Sequence, residues 1–339
     1  MNKTKIIITT ILLGLLGTGS FYLGGFQSLG SMIISLCVYT IIFYLLKYFW
    51  KKIRKQEVPD SRIFIQNFWF GISIFLSFIV VCIAGISYQA NEVSPSKLDQ
   101  YTISNGEKTV IFQSMMHIGR EGFYKEIQQE LTQAKKNGYV YFYEGVRPGK
   151  KENHKKFNEA LGLQFDANLY KNISKMYGMT YQTPQMFLGL VNNLDFNIDT
   201  NIDEIMNEYE KITKGKTIEK QESFDANKEI ETVLNTLTPR ELEVFQYINK
   251  ALLNTLFSNE EIFKNLQIQG NKYLFDVILD KRNEHLVQEI IKSEHKKIFV
   301  TYGALHFDGV LKMLQKNDKN WKIINTKPFY PVTKKILLQ

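Results

Sequence analysis

The sequence predicts an α/β domain that follows three membrane-spanning helices at the N-terminus. Residues 1–88 are dominated by apolar residues, whereas the rest of the 339-residue chain has the composition of a soluble protein. In that second part, short runs of β-forming residues alternate with amphipathic helical stretches, which is typical of a parallel or mixed sheet covered by helices. The expected organisation is a membrane anchor over 1–90, a linker over 91–105 and an α/β domain over 106–339.

Three apolar stretches near the N-terminus are each about 20 residues long, which is the length needed to cross the hydrocarbon core of a membrane. They cover about residues 6–25, 29–49 and 67–88, and none has a charge at its centre. A short turn with glycine and serine joins the first two stretches, so these are expected to form a helical hairpin. The alternative for the first stretch is a signal peptide that is cleaved.

The segment between the second and third stretches is strongly basic, which sets the expected orientation. It carries Lys47, Lys51, Lys52, Arg54, Lys55 and Arg62. Short basic loops stay in the cytoplasm, so the sequence predicts a multi-pass protein of the cell membrane with its α/β domain outside the cytoplasm. The net charge of the chain is +8. Because the basic residues lie beside apolar helices, they predict contact with anionic membrane lipid rather than with nucleic acid.

The cysteine content excludes several kinds of site from the α/β domain. The chain has two cysteines, Cys37 and Cys82, and both lie in apolar stretches. The domain is therefore expected to contain no disulfide, no thiolate metal site and no cysteine nucleophile.

Two strand–helix units are predicted in the α/β domain, one near each end. The first has strands at Thr109–Ser114 and Tyr139–Tyr143, on either side of a helix at Glu121–Lys136. The second has a strand at Lys297–Tyr302 between two helices, and a last strand follows at 321–325. Strands joined by a helical crossover lie parallel in a sheet, so a parallel or mixed sheet is expected.

The stretch of about 148–270 between these units is polar and helical in pattern, and it predicts a helical insertion over one end of the sheet. Thr238 and Glu241 form a capping box at a helix start. The acidic run 195–203 lacks the glycine and the terminal glutamate of an EF-hand, so a loop followed by a helix cap is expected there. A partial likeness to a DNA-binding helix-turn-helix over 237–262 has the wrong spacing, and nucleic acid is not expected as a partner.

Polar residues follow three predicted strands at the point where each strand ends. His117 follows the first strand, Glu144 the second and His306 the late strand. Because ligands bind at the carboxyl ends of strands in such sheets, these side chains are expected to converge. Two imidazoles and a carboxylate form the ligand set of a catalytic divalent metal, and Glu144 is alternatively a general base. The simpler alternatives are turn histidines and a glutamate that pairs with Arg147.

Arg282 and Asn283 are expected at the start of a helix, shortly before the late strand. An arginine at this point can reach the strand ends and stabilise an oxyanion. The alternative is a surface arginine near a helix start.

Four short motifs together resemble the TraB/TIKI superfamily. They are Ser114-Met-Met-His117, Glu144-Gly-Val-Arg147, Arg282-Asn283, and Gly303-Ala-Leu-His306 followed by Gly309. The resemblance covers roughly Thr109–Leu314, with little support in the middle of that range. Ser114 stands where the family usually has glycine.

This resemblance implies an α/β domain of two related halves, each of which supplies a histidine. The family includes proteins that shut down bacterial peptide pheromones and animal membrane-tethered proteases. The implied activity is metal-dependent cleavage of a peptide or protein outside the cytoplasm, with Zn, Mn or Co as the metal. In this chain the implied site has His117, Glu144 and His306 as metal ligands, Glu144 and Arg282 as catalytic residues, and Arg147 and Asn283 as substrate-binding residues. The alternative is a receptor of the same fold that sequesters a peptide without cleaving it.

Overall fold

The chain forms two compact units, each made from separate segments. The computed structural model describes residues 2–58, 60–162, 167–214, 225–259 and 271–335. One unit contains Met1–Gln89 and Asn235–Ile248, and the other contains Ala90–Leu234 and Asn249–Gln339. The α/β domain expected over 106–339 is therefore not continuous, because Asn235–Ile248 groups with the apolar N-terminal helices.

Two apolar helices form most of the first unit. Helix α1 spans Lys3–Ile53 and helix α2 spans Ser61–Tyr88, and both are long and apolar enough to cross a membrane. The backbone of α1 is not helical at Gly24 and Gly25, where Gly25 has a φ of 65°. A left-handed φ of this kind suits glycine, which has no Cβ. The first two predicted stretches thus lie in one helical element that is broken at the expected glycine turn.

The two parts of α1 pack against each other and against α2. Leu29 lies 3.4 Å from the point where a Cβ on Gly17 would stand, so the chain folds back at the break. Near the start of both helices, Lys5 Nζ donates to Asn67 Oδ1 at 2.8 Å. Aromatic contacts near the same end join the second part of α1 to α2, at Phe43–Phe68 and Tyr44–Phe64.

A six-stranded mixed sheet forms the centre of the second unit. Its strands are β1 (Leu98–Ser104), β2 (Thr109–Met115), β4 (Val140–Tyr143), β6 (Phe196–Asn197), β7 (Lys297–Gly303) and β8 (Lys322–Phe329), in the spatial order β6-β4-β7-β2-β1-β8. Strands β6, β4, β7 and β2 are parallel, whereas β1 is antiparallel to β2 and β8. Strands β3 (Ile118–Gly119) and β5 (Thr180–Tyr181) pair separately. The predicted mixed sheet is confirmed.

Helices cover both faces of this sheet. Among the described residues, the helices that follow α2 in the chain are α3 (Glu121–Lys136), α4 (Lys151–Leu161), α5 (Ala167–Tyr177), α6 (Gln185–Leu188), α7 (Ile202–Thr213), α8 (Ala226–Thr236), α9 (Pro239–Ser258), α10 (Lys272–Lys292) and α11 (Phe307–Asn317). On one face, Ile298 and Val300 of β7 share a buried cluster with residues of α10 and α11. On the other face, Phe299 packs with Phe123 and Ile127 of α3. Strand β7 is therefore buried on both faces, as its apolar run predicts.

The linker expected over 91–105 contains a strand, so that prediction is wrong for Leu98–Ser104. The strand was not predicted because several residues of this segment are polar. Gln100 is buried and its side chain donates to Gln113 of β2 at 2.9 Å, while Ile103 is fully buried. A polar residue can occupy the interior in this way because its amide finds a partner there.

The predicted helical insertion at about 148–270 contains helices α4 to α9, and it also supplies a strand to the main sheet. The acidic run 195–203 includes β6 and also Asn201, whose side chain caps the start of α7. The predicted capping box is confirmed, since Thr238 N donates to Glu241 Oε2 at 2.9 Å. Residues 163–166, 215–224 and 260–270 of the insertion lie outside the described residues, as does the end of the helix-turn-helix likeness.

Candidate functional site

The strands that precede His117, Glu144 and His306 are neighbours in the sheet. In the register of the parallel strands, Tyr143 of β4 pairs with Thr301 of β7, and Met115 of β2 pairs with Gly303 of β7. The parallel direction predicted for β2 and β4 is therefore confirmed, although β7 lies between them and they do not pair with each other. The three polar residues follow adjacent strand ends at the carboxyl edge of the sheet, which is where α/β proteins bind ligands.

Glu144 is an ionised carboxylate that is held from two sides. One oxygen forms an ion pair with Nη2 of Arg282, and Oε2 accepts the backbone N–H of Gly303 at 2.7 Å. Burial by itself would raise the pKa of Glu144. The positive charge of Arg282, with further contributions from His117 and His306, instead lowers this pKa to about 2. Glu144 therefore stays charged and is a weak base at neutral pH.

His306 lies in a short 3₁₀ turn, Ala304–His306, between β7 and α11, and it is 4% exposed. Its Nδ1 is 2.8 Å from Oδ1 of Asn283. An amide oxygen only accepts hydrogen bonds, so Nδ1 carries the proton and Nε2 keeps a lone pair. Burial and the charge of Arg282 lower the pKa of His306 to about 4, against the opposing effect of Glu144. The imidazole is therefore neutral at pH 7.

Two glycines of the late motif make room for this arrangement. A Cβ on Gly303 would stand 3.3 Å from Cδ2 of His306 and 3.7 Å from Oε2 of Glu144. A Cβ on Gly309 would stand 2.2 Å from Nδ2 of Asn283, which is far closer than two non-bonded atoms can approach. The glycine at 309 thus lets α11 pack directly on the amide that orients His306.

His117 is exposed to solvent after the end of β2. Its carbonyl accepts the backbone N–H of Gln182 at 2.7 Å, and its ring lies 4.6 Å from the ring of Tyr170 on α5. Desolvation by the protein around it lowers the pKa of His117, as does the charge of Arg282, while Glu144 acts in the opposite direction. Within the described ranges, neither ring nitrogen has a hydrogen-bond partner.

Arg282 lies inside helix α10, which begins at Lys272, so the predicted helix start at Arg282 and Asn283 is wrong. The residues before Arg282 are themselves helical, with Leu274 and Val277 buried on the core side. The position inside a packed helix holds the guanidinium more firmly than a helix end would. Arg282 is 7% exposed, and nearby Glu144 keeps its pKa well above the ordinary value although burial alone would lower it.

Asp199 is a site residue that the sequence did not reveal. It is fully buried, and its carboxylate binds Arg282 in a two-pronged ion pair, with Nε to Oδ1 at 2.9 Å and Nη2 to Oδ2 at 2.9 Å. The only signal in the sequence is its place in the acidic run 195–203. The local sequence of that run predicts a solvated loop, because no neighbouring residue indicates that one of its aspartates is buried.

Arg147 and Asn283 were both expected to bind substrate. Arg147 is exposed, and its Nη2 donates to the carbonyl oxygen of Asp199 at 2.9 Å, so it also fixes the loop that carries Asp199. Asn283 is 3% exposed and bonded to His306. This position indicates that Asn283 orients the imidazole, while substrate binding by Arg147 stays a prediction.

The donor atoms of the site suit a divalent metal in type. Neutral imidazole nitrogens with lone pairs are present on His117 and His306, and an ionised carboxylate lies near both. Within the described part of the chain, no group of three or more His, Cys, Asp or Glu side chains lies close enough to hold a metal ion. Both oxygens of Glu144 are also engaged already, so ligation by Glu144 requires it to share them with Arg282 and Gly303.

Comparisons with known proteins give no relative. No family model matches the chain, and neither the curated proteins nor the solved structures contain a match. The fold and the site therefore define a class only. The chain is an α/β protein with two long apolar helices near its N-terminus and a buried ionic cluster at the carboxyl edge of its sheet.

Proposed function

We propose that the chain is a membrane-anchored hydrolase that cleaves peptides or proteins outside the cytoplasm. The observation that carries the proposal is the group formed by Glu144, Arg282 and His306 at the carboxyl ends of neighbouring strands. Hydrolysis of an amide is helped by a general base that takes a proton from water and by a donor that stabilises the oxyanion. The motifs that resemble the TraB/TIKI superfamily fall on these same residues.

His306 is the proposed general base. Its pKa of about 4 keeps it neutral at pH 7, and the bond from Nδ1 to Asn283 leaves Nε2 as the acceptor. The imidazole takes a proton from the attacking water and then gives that proton to the leaving nitrogen. Glu144, which stays ionised, stabilises the positive imidazolium between these two transfers. The low pKa of Glu144 favours this electrostatic role over the alternative of Glu144 as the base.

Arg282 is the proposed oxyanion donor. Its Nε and Nη2 are engaged by Asp199 and Glu144, whereas Nη1 has no hydrogen-bond partner among the described residues. A guanidinium fixed by two carboxylates cannot swing towards water, and its remaining nitrogen is available to a substrate carbonyl. Such a preorganised donor is typically worth about 10²–10³ in kcat.

In the metal-dependent form of the proposal, His117, Glu144 and His306 would hold a divalent ion, Zn, Mn or Co, and Nε2 of His306 would then be a ligand instead of the general base. When bound, such an ion polarises the scissile carbonyl and lowers the pKa of a water molecule. His117 has open ring nitrogens and is the most accessible of the three. Glu144 would have to loosen its contact with Arg282 in order to ligate.

Three membrane crossings are part of the proposal as well. The break at Gly24 and Gly25 divides α1 into two parts, each long enough to cross, and the packing of Leu29 on Gly17 supports a hairpin. At this break, Thr238 Oγ1 donates to the carbonyl of Leu23 at 2.8 Å. A segment that follows α2 in the chain thus contacts the hairpin turn, which supports both lying on one side of the membrane.

The opposite end of the helices carries the basic residues. The segment from Lys47 to Arg62 contains the end of α1, the connection and the start of α2. Its positive charge supports a position on the cytoplasmic side of the membrane. In this arrangement it contacts the anionic lipid headgroups of the inner leaflet. The α/β unit, which follows the third crossing, then lies outside the cytoplasm.

The second candidate function is a receptor that sequesters a peptide without cleaving it. One observation favours it, namely that both oxygens of Glu144 and two nitrogens of Arg282 are already paired within the protein. Such a closed network is stable without a metal. In that case the Nη1 of Arg282 would bind a peptide carbonyl or carboxylate and no bond would break.

The test is cleavage of a quenched fluorescent peptide library by the purified full chain in nanodiscs. The protein is assayed as isolated, after removal of metals with a chelator, and after addition of Zn²⁺, Mn²⁺ or Co²⁺. Cleavage that the chelator removes and a metal restores supports the metal-dependent form of the hydrolase, in which His306 is a ligand. Cleavage that survives the chelator supports the hydrolase and contradicts the metal. Saturable peptide binding without cleavage favours the receptor, and the absence of both contradicts the proposed function.

A further inference from the structure

The buried carboxylate of Asp199 accepts more hydrogen bonds than any other charged side chain in the described part of the second unit. Oδ1 accepts from Nε of Arg282 at 2.9 Å, from the hydroxyl of Tyr302 at 3.1 Å and from the backbone N–H of Thr200 at 2.9 Å. Oδ2 accepts from Nη2 of Arg282 at 2.9 Å and from the backbone N–H of Gly145 at 3.0 Å. These donors come from a helix, a strand and two loops, so the position of this carboxylate is fixed from several directions.

We propose that Asp199 is a positioning residue, which holds Arg282 in the orientation that presents Nη1 to the substrate. The proposal rests on the proposed hydrolase, and it names a residue outside the motifs of the resemblance. Asp199 reaches no reacting atom itself. It acts through the guanidinium, whose plane is defined once Nε and Nη2 both bind the same carboxylate.

Without Asp199, Glu144 is the one carboxylate left to Arg282 among its described partners. Two donors that now point to Asp199 would then be unpaired in the interior, which is costly for a buried charge. The guanidinium is expected to turn and make a two-pronged pair with Glu144 instead. That rotation moves Nη1 away from the substrate. It also engages the carboxylate of Glu144 in a second bond to Arg282, so that this carboxylate is less able to stabilise His306.

Asp199 also links the two ends of the site through the backbone. Gly145, whose N–H it accepts, directly follows Glu144, and Tyr302, whose hydroxyl it accepts, directly precedes Gly303, which donates to Glu144. The same aspartate therefore sets the relative position of β4 and β7 at the edge where the catalytic residues emerge. A substrate-contacting residue would not need such connections.

Asp195 offers a matched control in the same acidic run. Its side chain is 1% exposed, forms an ion pair with Lys135 and accepts the backbone N–H of Tyr141 at 2.8 Å. Its side chain is thus as deeply buried as that of Asp199 and is likewise held by a cation and by backbone N–H groups, but its cation is not Arg282. Loss of stability should be similar for Asp195→Asn and Asp199→Asn, whereas only the second should change Arg282.

The test uses the full chain in nanodiscs with ¹⁵N-labelled arginine, of which the sequence has six. The Nε–H signal of Arg282, assigned from its loss in Arg282→Lys, is expected to exchange slowly with water in the wild type and in Asp195→Asn. In Asp199→Asn the exchange should be fast. In parallel, kcat and KM are measured on the best-cleaved peptide of the library. We expect kcat to fall about 10–100-fold in Asp199→Asn with KM within about twofold.

A Tyr302→Phe variant removes one hydrogen bond from Asp199 and keeps its charge, so it reports on positioning even if Asp199→Asn does not fold. Its kcat is expected to fall by less than that of Asp199→Asn, with Nε–H exchange between the two extremes. An unchanged Arg282 signal in Asp199→Asn, or in Tyr302→Phe where that is the variant that folds, contradicts the proposal. So does an equal loss of kcat in Asp195→Asn. If the wild type cleaves nothing, the proposed function fails, and the exchange measurement alone then decides whether Asp199 holds Arg282.

Discussion

The amide oxygen of Asn283 lies 2.8 Å from Nδ1 of His306, and both side chains are buried. This contact joins the middle of α10 to the turn that begins α11. It selects one tautomer of the imidazole, so that Nε2 is the acceptor. The chemistry proposed for His306 therefore depends on how closely two helices approach.

Gly309→Ala tests that dependence. An alanine Cβ would stand 2.2 Å from Nδ2 of Asn283, so the amide must move, and we expect this movement to disrupt its bond to His306. We expect kcat for peptide cleavage to fall about 10–100-fold, as is typical when the partner of a functional histidine is lost. The control is Gly71→Ala in α2, where nothing lies within 4 Å of the new Cβ. Full activity of Gly309→Ala would show that Asn283 does not orient the base.

The pH dependence of cleavage should reflect the lowered pKa of His306. The site needs neutral His306, whose pKa is about 4, so kcat/KM should persist at pH 6 and decline only towards pH 4. An ordinary imidazole would lose activity near pH 6.5. A pH–rate profile of the purified chain measures this, and an acid limb centred at pH 6.5 or above would contradict the assignment of His306 as the base.

The same lowered pKa makes a prediction about stability. Between pH 6.5 and about 4, the unfolded chain protonates this histidine whereas the folded chain does not. The unfolded state therefore binds more protons, and the free energy of unfolding contributed by His306 falls as the pH falls through this window. Chemical unfolding of wild type and His306→Gln at pH 7 and pH 5 checks the sign. The wild type should lose more stability between these two pH values than the variant, and an equal loss would contradict the buried neutral state.

Arg282→Lys should inactivate the protein although the charge is kept. A lysine offers one nitrogen, so it cannot bind Asp199 and Glu144 and still present a donor to the substrate. We expect kcat to fall about 10²–10³-fold, the cost of an oxyanion donor. Arg120→Lys is the control, because Nη2 of Arg120 also donates hydrogen bonds to a carboxylate, in this case that of Glu126. This control should change stability and leave kcat intact, and equal kcat values for the two variants would argue against the role of Arg282.

The orientation in the membrane can be tested with reporter fusions. A reporter that is active only in the cytoplasm should be silent when fused after Gln339 and active when inserted at Lys55 in the basic segment. The reason is the positive charge of that segment together with three crossings. A strong cytoplasmic signal at the C-terminus would contradict the extracytoplasmic position of the α/β unit and remove the proposed substrates from its reach.

The strands next to the site could be predicted from the sequence because their apolar runs are short, rich in β-forming residues and followed by turn residues. This fixed where His117, Glu144 and His306 emerge. Asp199 could not be predicted, because its burial depends on a loop that packs against α10 and β7 far away in the chain.

The predicted position of Arg282 at a helix start was wrong, because Lys-Arg-Asn at residues 281–283 resembles a polar helix start. In the structure, the ion pair with Asp199 lets this charged residue lie in the middle of a buried helix. Strand β1 was missed for a similar reason, since Gln100 is polar but bonded to Gln113 inside the sheet.

The most direct test of the proposed hydrolase is the initial rate of peptide cleavage by His306→Ala compared with His295→Ala. Both histidines flank β7, but His295 precedes the strand and His306 follows it, so they lie at opposite edges of the sheet. We expect His295→Ala to cleave the best library peptide at the wild-type rate and His306→Ala to lose at least about 100-fold, the lower range for removal of a general base. Equal cleavage by His306→Ala and the wild type would contradict the assignment of the catalytic site to the carboxyl edge of this sheet.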